Sequence, residues 1–435
     1  MCSFTVTNKN VDLNITNFFS QKRGPDHTNI KKINNISFLH NLLHITGEKT
    51  TQPLIDNDIV CLFNGEIYNY KDFGNYKSDG ECLIPLYKEF GLSFAKKLDG
   101  EFAICLIDFT KSELVIINDT FATKPIWYSF EEDKFAIASY ESSIRNLGFN
   151  NVEKIIGNYA YRVELKTFNE KEVIRLVEFD LTQYKTNYDD WINAFKNSIR
   201  KRSSNLNQKP FIGLSAGYDS GAIANELTKQ KIDFKAYTIM SEENPNIINQ
   251  RNDKLKNHEL IYLTRSEYNK AQEHLNNNCE SFIHDGRYNI KEDKASNGLS
   301  HICNLAKKEG YKIYLSGQGA DEIISDYGFR GHKIYSHSSF GGLFPNKLED
   351  IFPWEGFFKG TQVRYLNKEE HVAGSHGIET RYPFLDIKLV QEFLWLSSEL
   401  KNKQYKSSLD AYLTKEKYPF EKGIKVGFRA NSNLK

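Results

Sequence analysis

The sequence predicts an α/β protein in two parts. From Lys209 onward, short apolar runs alternate with helical periodicity, the pattern of a parallel sheet that holds its ligand at the strand carboxyl ends. Before residue 166, apolar strands follow one another with turns between them. The 435 residues also allow two to three domains.

Composition narrows the function classes. Hydrophobic residues make up 40% and charged residues 26%, enough to bury a full core. The formal net charge of +1 argues against a basic nucleic-acid surface. No apolar run is long enough for a bilayer, and the start lacks the basic and apolar regions of a signal peptide, so a cytoplasmic location and no membrane partner are expected. The cysteines (2, 61, 82, 105, 279 and 303) form no CxxC pair, which argues against zinc and for reduced core thiols.

The N-terminal elements come first. Cys2–Thr7 alternates as a strand, and Arg23–Asp26 reads as a turn. Leu62–Tyr70 reads as a strand running into an Asn64-Gly65 turn. Ser78 or Asp79 is expected to cap a helix from Cys82 to Phe90. Further strands are expected through Asp108, over Leu114–Asn118 and over Phe135–Ser139, with a closing hairpin of Tyr159–Leu165 and Glu172–Glu178. With Met1 removed, Cys2 becomes terminal and carries nucleophile and base together, its thiol attacking while its α-amine accepts the proton.

Trp191, Ile192, Phe195 and Ile199 have helical spacing. Phe211–Leu214 then runs as a strand into Ser215-Ala216-Gly217-Tyr218-Asp219-Ser220-Gly221, followed by a helix over Ala222–Leu227. Such a strand–turn–helix aims backbone N–H groups at one point and suits a phosphate, with Gly217 admitting close approach, Ser215 and Ser220 donating, and Asp219 able to hold magnesium. No Gly-Lys-Ser/Thr follows, so it is not a Walker loop. Phe234–Met240, Glu259–Leu263 and Tyr311–Leu315 are the further strands, and Leu299–Lys308 is a helix. Glu242–Lys256 reads as a loop, and residues 329–362 as a lid or partner surface.

These stretches resemble known families. Ser215–Gly221 is similar to the SGGxDS loop of ATP pyrophosphatases, departing at Ala216 and Gly221. Residues 2–145, through Asn64-Gly65-Glu66-Ile67-Tyr68-Asn69 and Asp119-x-Phe121-x-x-Lys124-Pro125, resemble the class II glutamine amidotransferase domain. Ser316-Gly317-Gln318-Gly319-Ala320-Asp321-Glu322 resembles the SGEGADE stretch of asparagine synthetases, His376–Asp386 their AHxxExRxPFLD element, and Lys425-Val426-Gly427-Phe428 their KxGF. The chain is thus similar to the glutamine-hydrolysing asparagine synthetase family, in a short form.

The resemblance implies an N-terminal-nucleophile sandwich over residues 1–165, a connector over 166–188 and an ATP-pyrophosphatase domain over 189–435. It implies Cys2 as nucleophile, Asn64 and Gly65 as the oxyanion hole, and Asn64, Glu66 and Asp79 around glutamine. It places ATP and pyrophosphate on Leu214, Ser215, Gly217, Asp219, Ser220, Ser316, Gly317 and Lys425, Mg2+ on Asp219 and Asp321, and the acceptor at Gln318 and Glu322. Glu379 and Arg381 are expected as a structural ion pair. The implied reaction amidates a carboxylate, by default aspartate, with glutamine and ATP. The oligomeric state stays open, a homodimer being one option.

Two departures leave alternatives open. Leu42 stands where the family has the arginine for glutamine's α-carboxylate, so Arg23, Lys31, Lys32 or Lys49 replaces it, or glutamine binds weakly, or the domain no longer uses glutamine. Gln318 stands where asparagine synthetases have a glutamate, and glutamine is no base. An adenylating synthetase using free ammonia or another amine, and a non-catalytic scaffold, are therefore the competing readings.

Overall fold

The computed structural model describes residues 2–204, 206–281, 283–284, 288–423, 428 and 430. Two six-stranded antiparallel sheets form the N-terminal half. The first runs in the order Glu153–Lys154, Trp127–Glu131, Lys134–Ala138, Ser3–Thr7, Ile36–Leu42, His27–Ile33. The second runs Glu170–Arg175, Tyr159–Glu164, Glu113–Asn118, Gly100–Asp108, Ile59–Ile67, Leu54–Asp56.

Strand periodicity decides how these sheets stack. On Ile59–Ile67, Val60 and Leu62 meet Phe4, Val6 and Phe38 of the first sheet, while Ile59, Cys61 and Phe63 face outward under Leu83, Leu86 and Tyr87. One face therefore packs sheet on sheet and the other packs helix on sheet, the expected sandwich. The hairpin forms as Tyr159–Glu164 with Glu170–Arg175, so the second sheet takes a strand inside the 166–188 stretch read as a connector.

The C-terminal half carries a five-stranded sheet in the order His258–Ile261, Lys235–Ile239, Pro210–Gly213, Ile313–Leu315, Glu379–Arg381. Every neighbouring pair is parallel. Sequence order reverses between Pro210–Gly213 and Ile313–Leu315, so the carboxyl ends of those two strands open a crevice at a topological switch point.

The halves share their core. Leu39, Ala136 and Ala138 from the first sheet pack in one cluster with Phe211, Tyr237, Val372 and Ile378. Phe121 stacks on Phe358 at 5.8 Å between centroids. The loop presenting Phe121 is folded by Asp119, whose carboxylate accepts the backbone N–H groups of Phe121 and Thr123 at 3.0 Å each and the Thr123 hydroxyl at 2.6 Å.

Several local expectations are corrected. Asn64-Gly65 is not a turn: both residues continue the strand, opposite Ala103 and Phe102. Gly65 has φ +134°, and a Cβ there would lie 1.9 Å from the Glu101 carbonyl oxygen. The pair is therefore a close strand contact that only glycine tolerates. Asp79 caps no α-helix; it begins a 3-10 turn, and the α-helix starts at Leu83 without a side-chain cap. Glu242–Lys256 contains the helix Pro245–Asn252, capped by Asn244, which accepts from Asn246 N at 3.1 Å. Residues 329–362 are no loose lid: Phe344, Leu348, Trp354 and Phe357 are buried in the core. The helix after the phosphate turn begins at Tyr218, placing Asp219 in its first turn.

Phe38→Ala should empty the seam between the two antiparallel sheets. The expected loss is about 3–5 kcal/mol, read as a lower midpoint of the first unfolding transition in urea. An unchanged midpoint would mean that the sheets do not depend on that seam.

Candidate active sites

Two pockets collect the residues marked in the sequence. The first, of about 50 Å3, is lined by Cys2, Leu42, Gly65, Glu66, Asp79 and Glu379, among others. Cys2 heads the strand Ser3–Thr7, and its carbonyl accepts Arg23 Nε at 2.9 Å. Burial pushes its thiol up to about 11, so at neutral pH the proton must leave as the sulfur attacks. Asn64 is fully buried, and neither side-chain atom has a hydrogen-bond partner. Asn64 does not itself line the pocket, but its bare carboxamide comes one residue before Gly65, which does, and a bare amide suits a developing oxyanion.

The acids are positioned by different means. Asp79 accepts the N–H groups of Ile67 and Gly80 at 2.9 Å each, and burial pushes its carboxyl up to about 7. Glu66 accepts the Thr46 hydroxyl at 2.9 Å and pairs with Arg381 at 2.9 Å; burial raises it well above the usual carboxylate range. Arg381 also pairs with Glu379 at 2.7 Å, so the expected ion pair forms and extends across to Glu66. Glu379 walls the Cys2 pocket from the C-terminal half.

Among the described residues, no substitute for the missing arginine enters this pocket. Arg23 is buried against the Glu370 carboxylate and the Glu370 carbonyl oxygen. Lys31, Lys32 and Lys49 are exposed. Leu42 lines the pocket, and no lysine or arginine does among the described residues.

The second pocket, of about 350 Å3, opens at the crevice between Pro210–Gly213 and Ile313–Leu315. Leu214, Ser215, Asp219, Ser220, Ser316, Gly317, Gln318 and Asp321 line it, as the sequence predicts. Gly217 lies behind the turn, its N–H donating to Ser215 Oγ at 3.2 Å. Glu322 also stands behind: it accepts Gln318 Nε2 at 2.7 Å, Gly319 N at 3.1 Å and the Tyr327 hydroxyl, and so anchors Gln318 rather than lining the cavity. Lys425 lies outside the described residues.

Sequence reasoning missed the buried cation behind this pocket, Lys406, which does not line it but pairs with two carboxylates that do. Lys406 Nζ donates to both Asp219 oxygens at 2.7 Å and lies 2.6 Å from Asp321. Against the penalty of burial, those carboxylates hold its ammonium well above the usual lysine range. Its backbone adopts φ +48°, uncommon for a residue with a Cβ. No local signal marks Lys406, because the contact is made across the fold. Arg251 was also missed: its guanidinium donates to the Ser215 and Gly217 carbonyls, and Glu243 accepts Ala216 N at 2.5 Å. A Cβ at Gly221 would sit 2.3 Å from Arg251, which explains why no hydroxyl residue follows Ser220.

Asp219 and Asp321 fit a magnesium ion. They are close enough to share one cation, Lys406, and present the hard oxygen donors that magnesium prefers.

The comparisons agree with this two-site arrangement. A glutamine amidotransferase domain model matches residues 1–156, and an asparagine synthase model matches residues 193–358. A putative glutamine-hydrolysing asparagine synthetase of Methanocaldococcus jannaschii is 27% identical over 86% of this chain and 73% of its own length. The glutamine-hydrolysing asparagine synthetase of Gallus gallus is 26% identical over 91% of this chain and 76% of its own.

Lys406→Met should leave Asp219 and Asp321 without their common partner. Breaking a buried pair by removing one member costs about 3–5 kcal/mol. The variant should melt lower than wild type and regain part of the difference in millimolar Mg2+. A melt unchanged by the substitution would remove Lys406 from this role.

Proposed function

This chain belongs to the asparagine synthetase family, joining a glutamine amidotransferase domain to an asparagine synthase domain, and on that premise we propose that it is a glutamine-dependent ligase. It amidates a carboxylate through an acyl-adenylate, converting ATP to AMP and pyrophosphate, with aspartate as the first candidate acceptor. We assign the donor reaction to residues 1–165 together with the strand Glu170–Arg175 of the second sheet, keep the rest of 166–188 as connector, and assign adenylation to 189–435.

In the donor half, the Cys2 sulfur attacks the glutamine amide carbon and its own α-amine takes the thiol proton once Met1 is removed. Asn64 and the Gly65 N–H hold the oxyanion, and Glu66 and Asp79 face the substrate ammonium. In the second half, Ser215, Ser220, Ser316 and Gly317 surround the phosphates, and Lys425 offsets the charge that builds on pyrophosphate. Magnesium, held by Asp219 and Asp321, would draw negative charge from the triphosphate oxygens.

One observation carries the reading. Glu379 lines the Cys2 pocket, while its strand pairs through Leu315↔Arg381 with the strand that runs into Ser316. This strand therefore walls one candidate site and backs the other, its Arg381 carbonyl accepting the N–H of pocket-lining Ser316 at 3.0 Å, which supports a relay of ammonia between them. The lack of lysine or arginine in the described donor pocket favours a second reading, in which free ammonia or another amine is the nucleophile.

A pyrophosphate-release screen with ATP, Mg2+ and a panel of carboxylates, each with glutamine or ammonium, tests both. Cys2→Ala should abolish glutamine-supported synthesis and spare the ammonium-supported reaction. Equal loss with both donors would make Cys2 structural.

Leu42→Arg restores a bidentate partner for an α-carboxylate. A charge-assisted hydrogen bond contributes about 1.5–3 kcal/mol, so KM for glutamine should fall roughly 10- to 150-fold while ammonium kinetics stay unchanged. Tight glutamine binding in the wild type would refute this account.

A further inference from the structure

The second pocket contains an acid that none of the motifs marks. Glu369, on the helix Gly360–Ser375, lines it together with Ser316, Gln318, Asp321 and Tyr365. The residue is 8% exposed, and its Oε2 has no hydrogen-bond partner. A buried carboxyl oxygen without a partner is uncommon and asks for a ligand or a function.

The neighbouring polar groups are already committed. Gln318 has no basic atom, and its Nε2 is engaged by Glu322 at 2.7 Å. Asp219 and Asp321 share Lys406. Asp293 accepts Ala295 N at 2.9 Å and pairs with Lys368 at 3.3 Å. Glu369, in contrast, is held in place rather than neutralised. The Ser316 hydroxyl hydrogen-bonds its carboxyl group and accepts Gln318 N at 3.0 Å, which ties Glu369 to the turn presenting Gln318.

Resting on the reading that this pocket forms an acyl-adenylate, we propose that Glu369 accepts the proton of the nitrogen nucleophile during amide formation, the task Gln318 cannot perform. The nitrogen lone pair forms the new bond to the adenylate's carbonyl carbon. The bond from that carbon to the AMP oxygen breaks, and its electron pair leaves with AMP. The proton lost by nitrogen goes to the Glu369 carboxylate, which later returns it to water.

Burial pushes the Glu369 carboxyl up to about 7, where a base at neutral pH is most effective. The groups around it are Lys368 and Glu370 on its own helix, Glu322 from Ala320–Ile324, Tyr314 and Ser316 from the neighbouring strand end, Cys303 from Lys294–Lys308, and Tyr382 beyond Arg381. Lys368 is the one cation in this set, and it already pairs with Asp293.

The test separates the two half-reactions in the full chain. Carboxylate-dependent exchange of pyrophosphate into ATP reports adenylation, and amide formed from ammonium reports the second step. Glu369→Gln should keep exchange within about twofold and lower amide formation about 100-fold or more. At a fixed concentration of free ammonia, amide formation in the wild type should rise with pH through a midpoint near 7 and level off above it, because the acid form cannot accept a proton. The glutamine variant should lose that rise, and Glu369→Asp should recover part of the rate. Equal loss of exchange and amide formation, or unchanged amide formation, would overturn the proposal. If wild type exchanges pyrophosphate with no carboxylate, the adenylation reading falls first and this inference with it.

Discussion

The two halves are joined by buried charge. Lys124 pairs with Glu370 at 3.0 Å and with Glu101 at 3.5 Å; Arg202 pairs with Glu101 at 2.7 Å and Asp386 at 3.0 Å; Arg381 reaches Glu66. Arg23 closes the group on Glu370. All are buried, so each ion has given up its hydration and depends on its partner. Such groups tolerate few arrangements, and this constraint sets how the antiparallel sandwich sits against the parallel sheet.

That constraint explains a motif whose meaning the sequence alone conceals. In Asp119-x-Phe121-x-x-Lys124-Pro125, Asp119 folds the loop, Phe121 enters an aromatic cluster of the other half, and Lys124 donates to the Thr380 carbonyl at 2.6 Å. The stretch is a strut between domains and does not line either pocket. Thr380 lies between Glu379, which walls the donor pocket, and Arg381, which grips Glu66.

What was legible in the sequence follows the range of the interactions. Apolar runs placed the strands of both halves, because most of these strands are buried on both faces. The phosphate turn, the Gln318 turn and the Cys2 pocket were legible because their residues sit together in short stretches. Asn64-Gly65 misled, since a dipeptide typical of hairpins here serves a close crossing of two strands. Lys406, Arg251 and Glu369 were not legible: each meets its site across the fold, from a segment that reads as an ordinary polar helix or tail. The helix at Pro245–Asn252 was hidden because its polar composition buries only Ile248 and Arg251.

The placement of Glu379–Arg381 bears on modularity. This edge strand belongs by hydrogen bonding to the nucleotide-type sheet and by side chain to the donor pocket. Cutting the chain at its connector would leave the amidotransferase fragment without the Glu379 wall of its cysteine site, and would take Arg381 from Glu66, Arg202 from Glu101 and Glu370 from Lys124. The two pockets are thus arranged as one unit of inheritance: a recombined N-terminal half would need to bring a matching edge strand with it.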